Sequence, residues 1–312
     1  MNKPTFDPGL TQQYTGVLKR AINKDGQFNV RRTGATWRDF HAYLFFIRTP
    51  WPVFALIVTG AYVIVNTVFA GVYEAIGIEN LKGAEAPTAG LRFLNAFFFS
   101  AHTLTTVGYG NIWPSGPVAN SVAALEALAG LMLFAIATGL VFGRFSRPSA
   151  RIGFSETMVV APYMEGTSLQ FRVVNRRSNN LIDLEARMLL MTVESMDGRL
   201  QRRFKPLDLE RNQVQFMPLT WTVVHPIDEK SPLYGKTPAE LEQLQAEVMI
   251  MMKGFDDTFG QTVQARYSYR YDEITWGAKF APAFETEKNG DLHVEVNRVG
   301  RTEPARLANA GD

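Results

Sequence analysis

Two long apolar stretches interrupt a chain whose other segments alternate polar and apolar residues at short intervals. The first covers residues 53–73, within a charge-free run that begins at Thr49. The second covers residues 127–143 and extends back through Glu126 toward Pro117. A helix of about 20 apolar residues crosses a hydrocarbon core about 30 Å thick. We therefore predict two transmembrane helices, the alternative being two buried helices of a large soluble protein.

A third apolar segment, residues 91–104, lies between the two long ones and is rich in phenylalanine. It is too short to cross a membrane as a helix. A helix of this length is tolerated at membrane depth only where protein surrounds it, because its backbone ends need partners. We predict a re-entrant helix, which follows a polar segment at residues 77–90 and leads directly into TTVGYG at residues 105–110.

Beyond residue 152 the long apolar runs give way to short alternating ones that are typical of strands. The predicted strands cover residues 169–174, 184–193, 214–224, 248–252 and 263–271. Thr237, Pro238 and Glu240 predict the start of one short helix, because they supply an N-cap, a first-turn proline and a capping acid. Several short strands with turn signals between them indicate a β-sandwich.

These patterns predict a two-domain membrane protein, in which an all-α pore domain with two spans and a re-entrant pore helix precedes an all-β sandwich. Pro50 and Pro52 separate the first span from an aromatic-rich stretch, which we predict to be an interfacial helix on the membrane surface. The predicted parts are an N-terminal segment (1–36), the interfacial helix (37–48), the pore domain (49–146), the β domain (152–301) and a flexible tail (302–312).

Charge is distributed unevenly, although 32 Lys and Arg against 30 Asp and Glu leave a net charge of only +2. The net charge is +5 over residues 1–48 and +3 over residues 144–151, but −2 over residues 49–143 and −4 over residues 152–312. Lys and Arg concentrate on the cytoplasmic side of membranes, so we expect both termini in the cytoplasm. The near-balance excludes a uniformly basic nucleic-acid binder, and the absence of Cys excludes disulfides and cysteine-bound metals.

The TVGYG sequence has the residues that a potassium-binding backbone requires. Rings of carbonyl oxygens can replace the water around K⁺ if all of them point toward one axis. Gly108 and Gly110 allow the left-handed dihedrals that this needs. The carbonyls of Thr106, Val107, Gly108 and Tyr109, with the Thr106 hydroxyl, would then bind the ion, and the carboxyl end of the preceding helix favours a cation nearby. One chain supplies a quarter of each ring, so we expect a homotetramer.

Two other functions stay open at this point. A GYG tripeptide alone can close any loop, so the prediction depends on its place between two spans and after a buried helix. The alternatives are a poorly selective cation channel and a membrane-anchored sensor whose β domain binds a partner. No helix carries arginine at every third position in an apolar frame, which excludes a voltage sensor. The four His are scattered and predict neither a metal site nor an enzyme.

Several stretches of the chain resemble the inward-rectifier potassium channel family. They are RTPWPVF at residues 48–54, GRFSRP at 143–148, WTVVHPIDEKSPL at 221–233, QARYSY at 264–269 and DEITWG at 272–277. The likeness covers roughly residues 37–285, and the chain is most similar to the prokaryotic members, the KirBac type. The family implies an ion channel without a cofactor, in the inner membrane of a prokaryote, with a cytoplasmic immunoglobulin-like domain.

The resemblance also implies roles for particular residues. Phe142 matches the hydrophobic gate of the inner helix, where four aromatic rings could close the pore by dewetting. The loop over residues 254–260, with Gly254, Phe255 and Gly260, matches the family's narrow cytoplasmic constriction. In the inner helix, Gly130 and Gly139 are candidates for bending points, and close helix packing is an equally good interpretation of either.

Some positions depart from the family's pattern. Phe134 replaces the cavity acid of strong rectifiers, so block by Mg²⁺ or polyamines should be weak there; Ba²⁺ remains a possible blocker. His102 stands at the position behind the filter where many relatives have Glu. Its imidazole is either a pH-sensitive group or a neutral packing residue. Asn111 removes an acid from the outer mouth. Asp183 and Glu185, two residues apart on one predicted strand face, line the cytoplasmic vestibule or are solvated surface acids.

A set of arginines close to the membrane predicts binding of anionic lipids or phosphoinositides, at about 1 kcal/mol per residue near the surface. The set consists of Arg31, Arg32, Arg38, Arg144, Arg147 and Arg151. The alternative is that these charges only set the topology.

Overall fold

The computed structural model describes residues 8–14, 16, 20–31, 33–34, 36–146, 150–196 and 198–307. The chain forms two compact units, one helical and one built mainly from strands. The helical unit is Thr33–Arg147, and the β unit combines Met1–Arg32 with Pro148–Asp312.

The described residues of the helical unit form four α-helices and one small ribbon. They are α1 (Ala42–Arg48), α2 (Trp51–Ala75), β1 (Leu81–Lys82), α3 (Ala89–Leu104), β2 (Trp113–Pro114) and α4 (Gly116–Phe145). Helices α2 and α4 contain 25 and 30 residues, and both are apolar and long enough to cross a membrane. Each has a proline in its first turn, where the missing N–H costs no helical hydrogen bond.

The interfacial helix predicted for residues 37–48 is divided in two. A 3-10 turn covers Trp37–Asp39, and α1 begins only at Ala42. The Asp39 carboxylate accepts hydrogen bonds from the Thr36 backbone and hydroxyl, at 2.8 and 3.0 Å. This local turn competes with helix continuation, as short acidic side chains often do.

The described residues of the β unit form two five-stranded sheets, two two-stranded sheets and one short helix. Its elements are β3 (Ile152–Phe154), β4 (Met158–Tyr163), β5 (Gly166–Asn175), β6 (Leu181–Met196), β7 (Arg199–Leu207), β8 (Gln213–Phe216), β9 (Thr220–Ile227), α5 (Pro238–Gln243), β10 (Glu247–Asp256), β11 (Gln261–Arg270), β12 (Ile274–Trp276), β13 (Ala278–Phe280), β14 (Phe284–Thr286), β15 (Leu292–Val294) and β16 (Thr302–Pro304). One sheet has the order β11-β10-β6-β7, with β8 also on β6. The other has the order β12-β4-β5-β3, with β9 also on β5.

Both sheets contribute to one apolar core, which confirms the predicted sandwich. Phe171 and Val223 come from one sheet, Leu184, Val248 and Met252 from the other, and all five are completely buried. Every predicted strand is present, but the run 214–224 is two strands, β8 and β9. The break surrounds a proline, which cannot donate to a sheet ladder. The capping box that starts α5 is also present.

Part of the N-terminal segment packs on the β unit. The Ala21 amide donates to both carboxylate oxygens of Glu247 at 3.0 Å, and the Ser268 hydroxyl donates to the Ile22 carbonyl at 2.7 Å. Lys24 forms an ion pair with Glu273 at 2.7 Å. At the other end of the chain, the predicted flexible tail begins with β16, which pairs with β13. A three-residue strand has no hydrophobic alternation by which the sequence could reveal it.

His225, within the motif at residues 221–233, joins two loops of the β unit. Its Nδ1 donates to the Asp208 carbonyl at 2.5 Å, and its Nε2 accepts from the Ser231 hydroxyl at 2.8 Å. Protonation would leave the Nδ1 bond intact but would turn Nε2 from an acceptor into a donor, so the bond with Ser231 would have to reverse its direction. Burial lowers the pKa of His225 below its ordinary value of 6.5.

We predict that acid destabilises the β unit through His225. The unfolded chain binds a proton near pH 6.5 while the folded one resists it, so the stabilisation is present above that pH and declines as the pH falls below it. Thermal unfolding of the purified protein across this range should show a steeper acid loss for the wild type than for His225→Gln. His293→Gln, at an exposed position, is the control and should follow the wild type. Identical pH profiles for the wild type and His225→Gln would contradict the assignment.

Candidate functional site

Helix α3 is held in place at both ends and along its length. Thr88 caps its amino end, where the hydroxyl accepts from the Leu91 amide at 3.3 Å. Ala96, Phe99 and Leu104 are buried, although the helix is too short to span a membrane. The contacts of α3 with α2 and α4 therefore provide the protein environment that a re-entrant helix needs.

The chain leaves α3 through a tight turn that is bonded to its last residues. The Val107 and Gly108 amides both donate to the His102 carbonyl, at 2.8 and 3.3 Å, and the Thr106 amide donates to Thr103 at 3.0 Å. The Thr105 hydroxyl donates to the Ala101 carbonyl at 2.6 Å. These bonds use donors rather than carbonyls of the TVGYG segment, so its carbonyl oxygens remain available for a ligand.

The dihedral φ alternates in sign along the TVGYG segment. It is positive at Thr106 (58°), Gly108 (57°) and Gly110 (80°), and it is not positive at Val107 or Tyr109. Such an alternation in the sign of φ is compatible with successive carbonyls that face one axis. The two glycines adopt the conformation expected from the sequence. The positive φ of a β-branched threonine was not foreseen, because it is costly and no sequence pattern marks it.

The TVGYG segment lies on an open surface of the single chain. Val107 is 51% exposed and Tyr109 is 73% exposed. Large apolar side chains that are left this open indicate a surface that other protein covers. The Tyr109 ring packs edge-on against the half-buried His102 ring, with 4.6 Å between centroids. This contact favours the packing interpretation of His102.

A buried polar cluster joins α2, α3 and α4 and was missed from the sequence. It consists of Asn66 and Tyr73 of α2, Ser100 of α3 and Glu126 of α4, and all four are completely buried. Tyr73 donates to Glu126 Oε2 at 2.6 Å, and Ser100 lies 2.9 Å from Asn66 Oδ1 and also contacts Glu126 Oε1. A lone acid among the apolar residues of α4 is the one signal that could have revealed the cluster.

Gly130 allows α4 to approach the end of α3 closely. A Cβ at this position would lie 2.0 Å from the Leu104 carbonyl oxygen, whereas a Cβ at Gly139 would meet nothing within 4 Å. Close packing therefore explains Gly130, and α4 passes through both glycines without a break. Phe134 and Phe142, eight residues apart on α4, are both largely exposed in the single chain.

Comparison with known proteins supplies the family. The model for the inward rectifier potassium channel C-terminal domain matches residues 152–310, and a model described as an ion channel matches residues 52–147. The inward rectifier potassium channel Kirbac3.1 of Paramagnetospirillum magnetotacticum is 38% identical over 285 residues, which cover 89% of this chain and 94% of that protein. The chain belongs to the inward rectifier potassium channel family.

Members of this family are tetrameric, membrane-embedded ion channels rather than enzymes, with K⁺ as the permeant ion and no cofactor. The G protein-activated inward rectifier potassium channel 4 of Mus musculus is 31% identical and covers 70% of this chain, and the inward rectifier potassium channel 4 of Homo sapiens is 30% identical and covers 74%. The chain spans 52% and 56% of these two proteins. The sporulation control protein Spo0M of Bacillus subtilis aligns with 45% of this chain and 61% of its own at 10% identity and a TM-score of 0.25, too low to inform the fold.

The arginines that the family resemblance links to lipid have different surroundings. Arg31, Arg38 and Arg151 are exposed, whereas Arg32 and Arg147 lie outside the described residues. Arg144 is half-buried and contacts the end of α1. Its guanidinium donates to the Thr49 carbonyl at 2.7 Å and to the Phe46 carbonyl, and it stacks 4.3 Å from the Trp51 ring centroid. The positive charge of Arg144 stabilises the carboxyl end of α1, where the helix dipole is negative.

The residues expected at the cytoplasmic vestibule have a different geometry from the predicted one. Asp183 and Glu185 do not lie on a regular strand face, because Asp183 has a φ of +49° where the pairing of β6 with β10 shifts register. Asp183 is exposed, and Glu185 forms an ion pair with Arg187 at 2.7 Å. The predicted loop at residues 254–260 is the tip of a hairpin. Gly254 and Phe255 belong to β10, and the turn that follows ends at Gly260, with φ +60°.

We predict that Gly130→Ala destabilises the helical unit and that Gly139→Ala does not. The new methyl group at position 130 would force α4 away from the Leu104 carbonyl, at a cost of about 2 kcal/mol or more. At position 139 the methyl group meets open space and should stabilise the helix by up to about 1 kcal/mol. Thermal stability of the purified oligomer checks this pair, and equal effects of the two substitutions would contradict the close approach.

Proposed function

We propose that four copies of this chain form a potassium-selective channel whose ion pathway is lined by residues 106–110. The observation that carries the proposal is the alternating sign of φ along the TVGYG segment, directly after a buried helix between two apolar spans. Four such segments around one axis would supply rings of carbonyls and a ring of Thr106 hydroxyls, which replace the hydration shell of K⁺. The exposed Val107 and Tyr109 side chains would be covered by neighbouring copies.

The same assembly supplies gates along the pathway. Four copies of Phe142, exposed near the end of α4, would close the pore by excluding water. The exposed Gly139, one turn before it, leaves room for α4 to move there. In the β unit, the hairpin tip with Gly254, Phe255 and Gly260 would form a second narrowing. Asp183 and Glu185 would draw cations toward it.

The charge distribution supports a place in the inner membrane of a prokaryote, with both termini in the cytoplasm. The segments before α2 and after α4 are the basic ones, at net charges of +5 and +3. Anionic lipids or phosphoinositides would bind there, through Arg31, Arg38 and Arg151, which are exposed, and through Arg32 and Arg147. Arg144 would add charge to this surface while its guanidinium holds α1. With Phe134 at the cavity position, Mg²⁺ and polyamines should block weakly.

Flux through purified protein in liposomes tests the proposal. Uptake of rubidium that is blocked by barium and is small for sodium is expected, in vesicles of varied pH and anionic-lipid content. A reversal potential that ignores exchange of potassium for sodium would establish a poorly selective cation channel instead. No uptake under any condition, with the β unit capturing a binding partner, would establish a membrane-anchored sensor.

We predict that Gly108→Ala abolishes most of the K⁺ flux without preventing assembly. Alanine at a φ of +57° costs about 1–3 kcal/mol of strain, which corresponds to a fall in flux of about fivefold to 150-fold. Gly90→Ala is the matched control, because Gly90 lies in α3 and a new Cβ there meets no atom within 4 Å. This variant should conduct normally. Normal flux through a tetramer of Gly108→Ala would count against the proposed ion pathway.

We also predict that substitutions of Arg38 and Arg144 have different effects, one on the lipid response and the other on stability. Arg38→Gln removes one exposed charge and should shift the anionic-lipid response of the flux by about fivefold, with little change in thermal stability. Arg144→Gln should lower the thermal stability in every lipid, because the Phe46 and Thr49 carbonyls lose their donor. Flux titrations with anionic lipid and melting curves of the same preparations give both values. A purely lipid-dependent effect of Arg144→Gln would contradict its structural role.

A further inference from the structure

The buried polar cluster contains more oxygen contacts than its hydroxyl hydrogens can serve. Asn66 Nδ2 donates to the Tyr62 carbonyl at 2.7 Å, and a carbonyl can only accept, so Asn66 Oδ1 must face Ser100. Ser100 Oγ therefore lies between two oxygens, Asn66 Oδ1 at 2.9 Å and Glu126 Oε1. Its single hydrogen can be donated to only one of them.

A proton on Glu126 completes the cluster. Glu126 Oε1 then donates to Ser100 Oγ, Ser100 donates to Asn66 Oδ1, and the Tyr73 hydroxyl donates to Glu126 Oε2 at 2.6 Å. An ionised carboxylate would leave one buried oxygen pair without a hydrogen between its members, which is costly away from water. None of the ion pairs among the described residues includes Glu126, so no cation compensates a negative charge there.

The cluster connects all three helices around the TVGYG segment. Asn66 and Tyr73 fix α2, Ser100 fixes α3 six residues before Thr106, and Glu126 fixes α4 one turn before Gly130. The position of α3 in turn sets the turn that carries the Val107 and Gly108 amides. A shift of α3 would thus displace the carbonyls that are to bind the ion.

We propose that Glu126 is a positioning residue for ion selectivity, and that it acts as a neutral carboxylic acid that holds α3 between α2 and α4. This inference rests on the proposed potassium-selective pore and adds to it a residue that does not touch the ion. A competing role, in which an ionised Glu126 attracts K⁺ by its charge, predicts different behaviour of the neutral isostere and is an outcome of the test.

The experiment compares selectivity among variants of the full-length protein in planar bilayers. Glu126→Gln keeps the size of the side chain and supplies an N–H toward Ser100, so it should retain the wild-type ratio of potassium to sodium permeability. Glu126→Ala and Ser100→Ala break the connection and should lower this ratio by about tenfold. Ser121→Ala is the matched control, because the Ser121 hydroxyl bonds only within its own helix, to Pro117 at 2.8 Å.

A second measurement does not depend on conduction. Infrared difference spectra of the wild type and Glu126→Gln should show the stretching band of a protonated carboxyl in the wild type alone. Tyr73→Phe, which removes the donor to Oε2 with almost no change in volume, should shift that band. If the wild type does not conduct K⁺ at all, the proposed function fails, yet the infrared band still decides whether Glu126 is neutral.

Several results would overturn the inference. A loss of selectivity or of assembly in Glu126→Gln would show that the charge matters, because this variant reproduces the neutral acid. Wild-type selectivity in both Ser100→Ala and Glu126→Ala would show that the cluster does not position the pathway. If Glu126→Ala fails to assemble, the permeability ratios of Ser100→Ala and Ser121→Ala are compared instead, and equal ratios would overturn the inference. Absence of the protonated-carboxyl band in the wild type would refute the neutral state.

Discussion

A helix that enters a membrane without crossing it leaves backbone groups at its end that lipid cannot satisfy. Several contacts of the helical unit supply partners or close packing for the end of α3. The amides that follow the helix return to its own last turn, at His102 and Thr103. Gly130 lets α4 lie directly against the Leu104 carbonyl, and the buried polar cluster joins α3 to both long helices. The Thr106, Val107 and Gly108 amides are thereby bonded within one chain, and none of these bonds uses a carbonyl of the TVGYG segment.

The apolar pattern was sufficient to predict the two spans, the re-entrant helix and the strands of the sandwich, because burial in lipid or between sheets imposes a period or a length on the sequence. It was insufficient where local polar contacts decide the backbone. The 3-10 turn at Trp37–Asp39, the register shift at Asp183 and the short strand β16 each depend on hydrogen bonds rather than on hydrophobic alternation.

The candidate site, like the fold, could be predicted only in part from the sequence. Gly108 and Gly110 mark left-handed positions because glycine is the residue that adopts them without strain. Thr106 adopts the same region without any such signal. The partners of Glu126 are 26 and 53 residues away in the chain, so their meeting depends on how three helices rotate against one another. The pattern of apolar and polar positions does not by itself fix those rotations.

The completeness of the contacts around α3 has a consequence for biogenesis. The bonds of Thr88, His102, Ser100 and Glu126 join residues of the same chain, so these particular contacts need no second copy in order to form. Val107 and Tyr109, like Phe134 and Phe142 of α4, remain exposed in the single chain. Assembly would then join subunits whose re-entrant helices already have these contacts, and it would depend on subunit concentration. Its rate should follow the number of subunits in the membrane rather than the folding of each one.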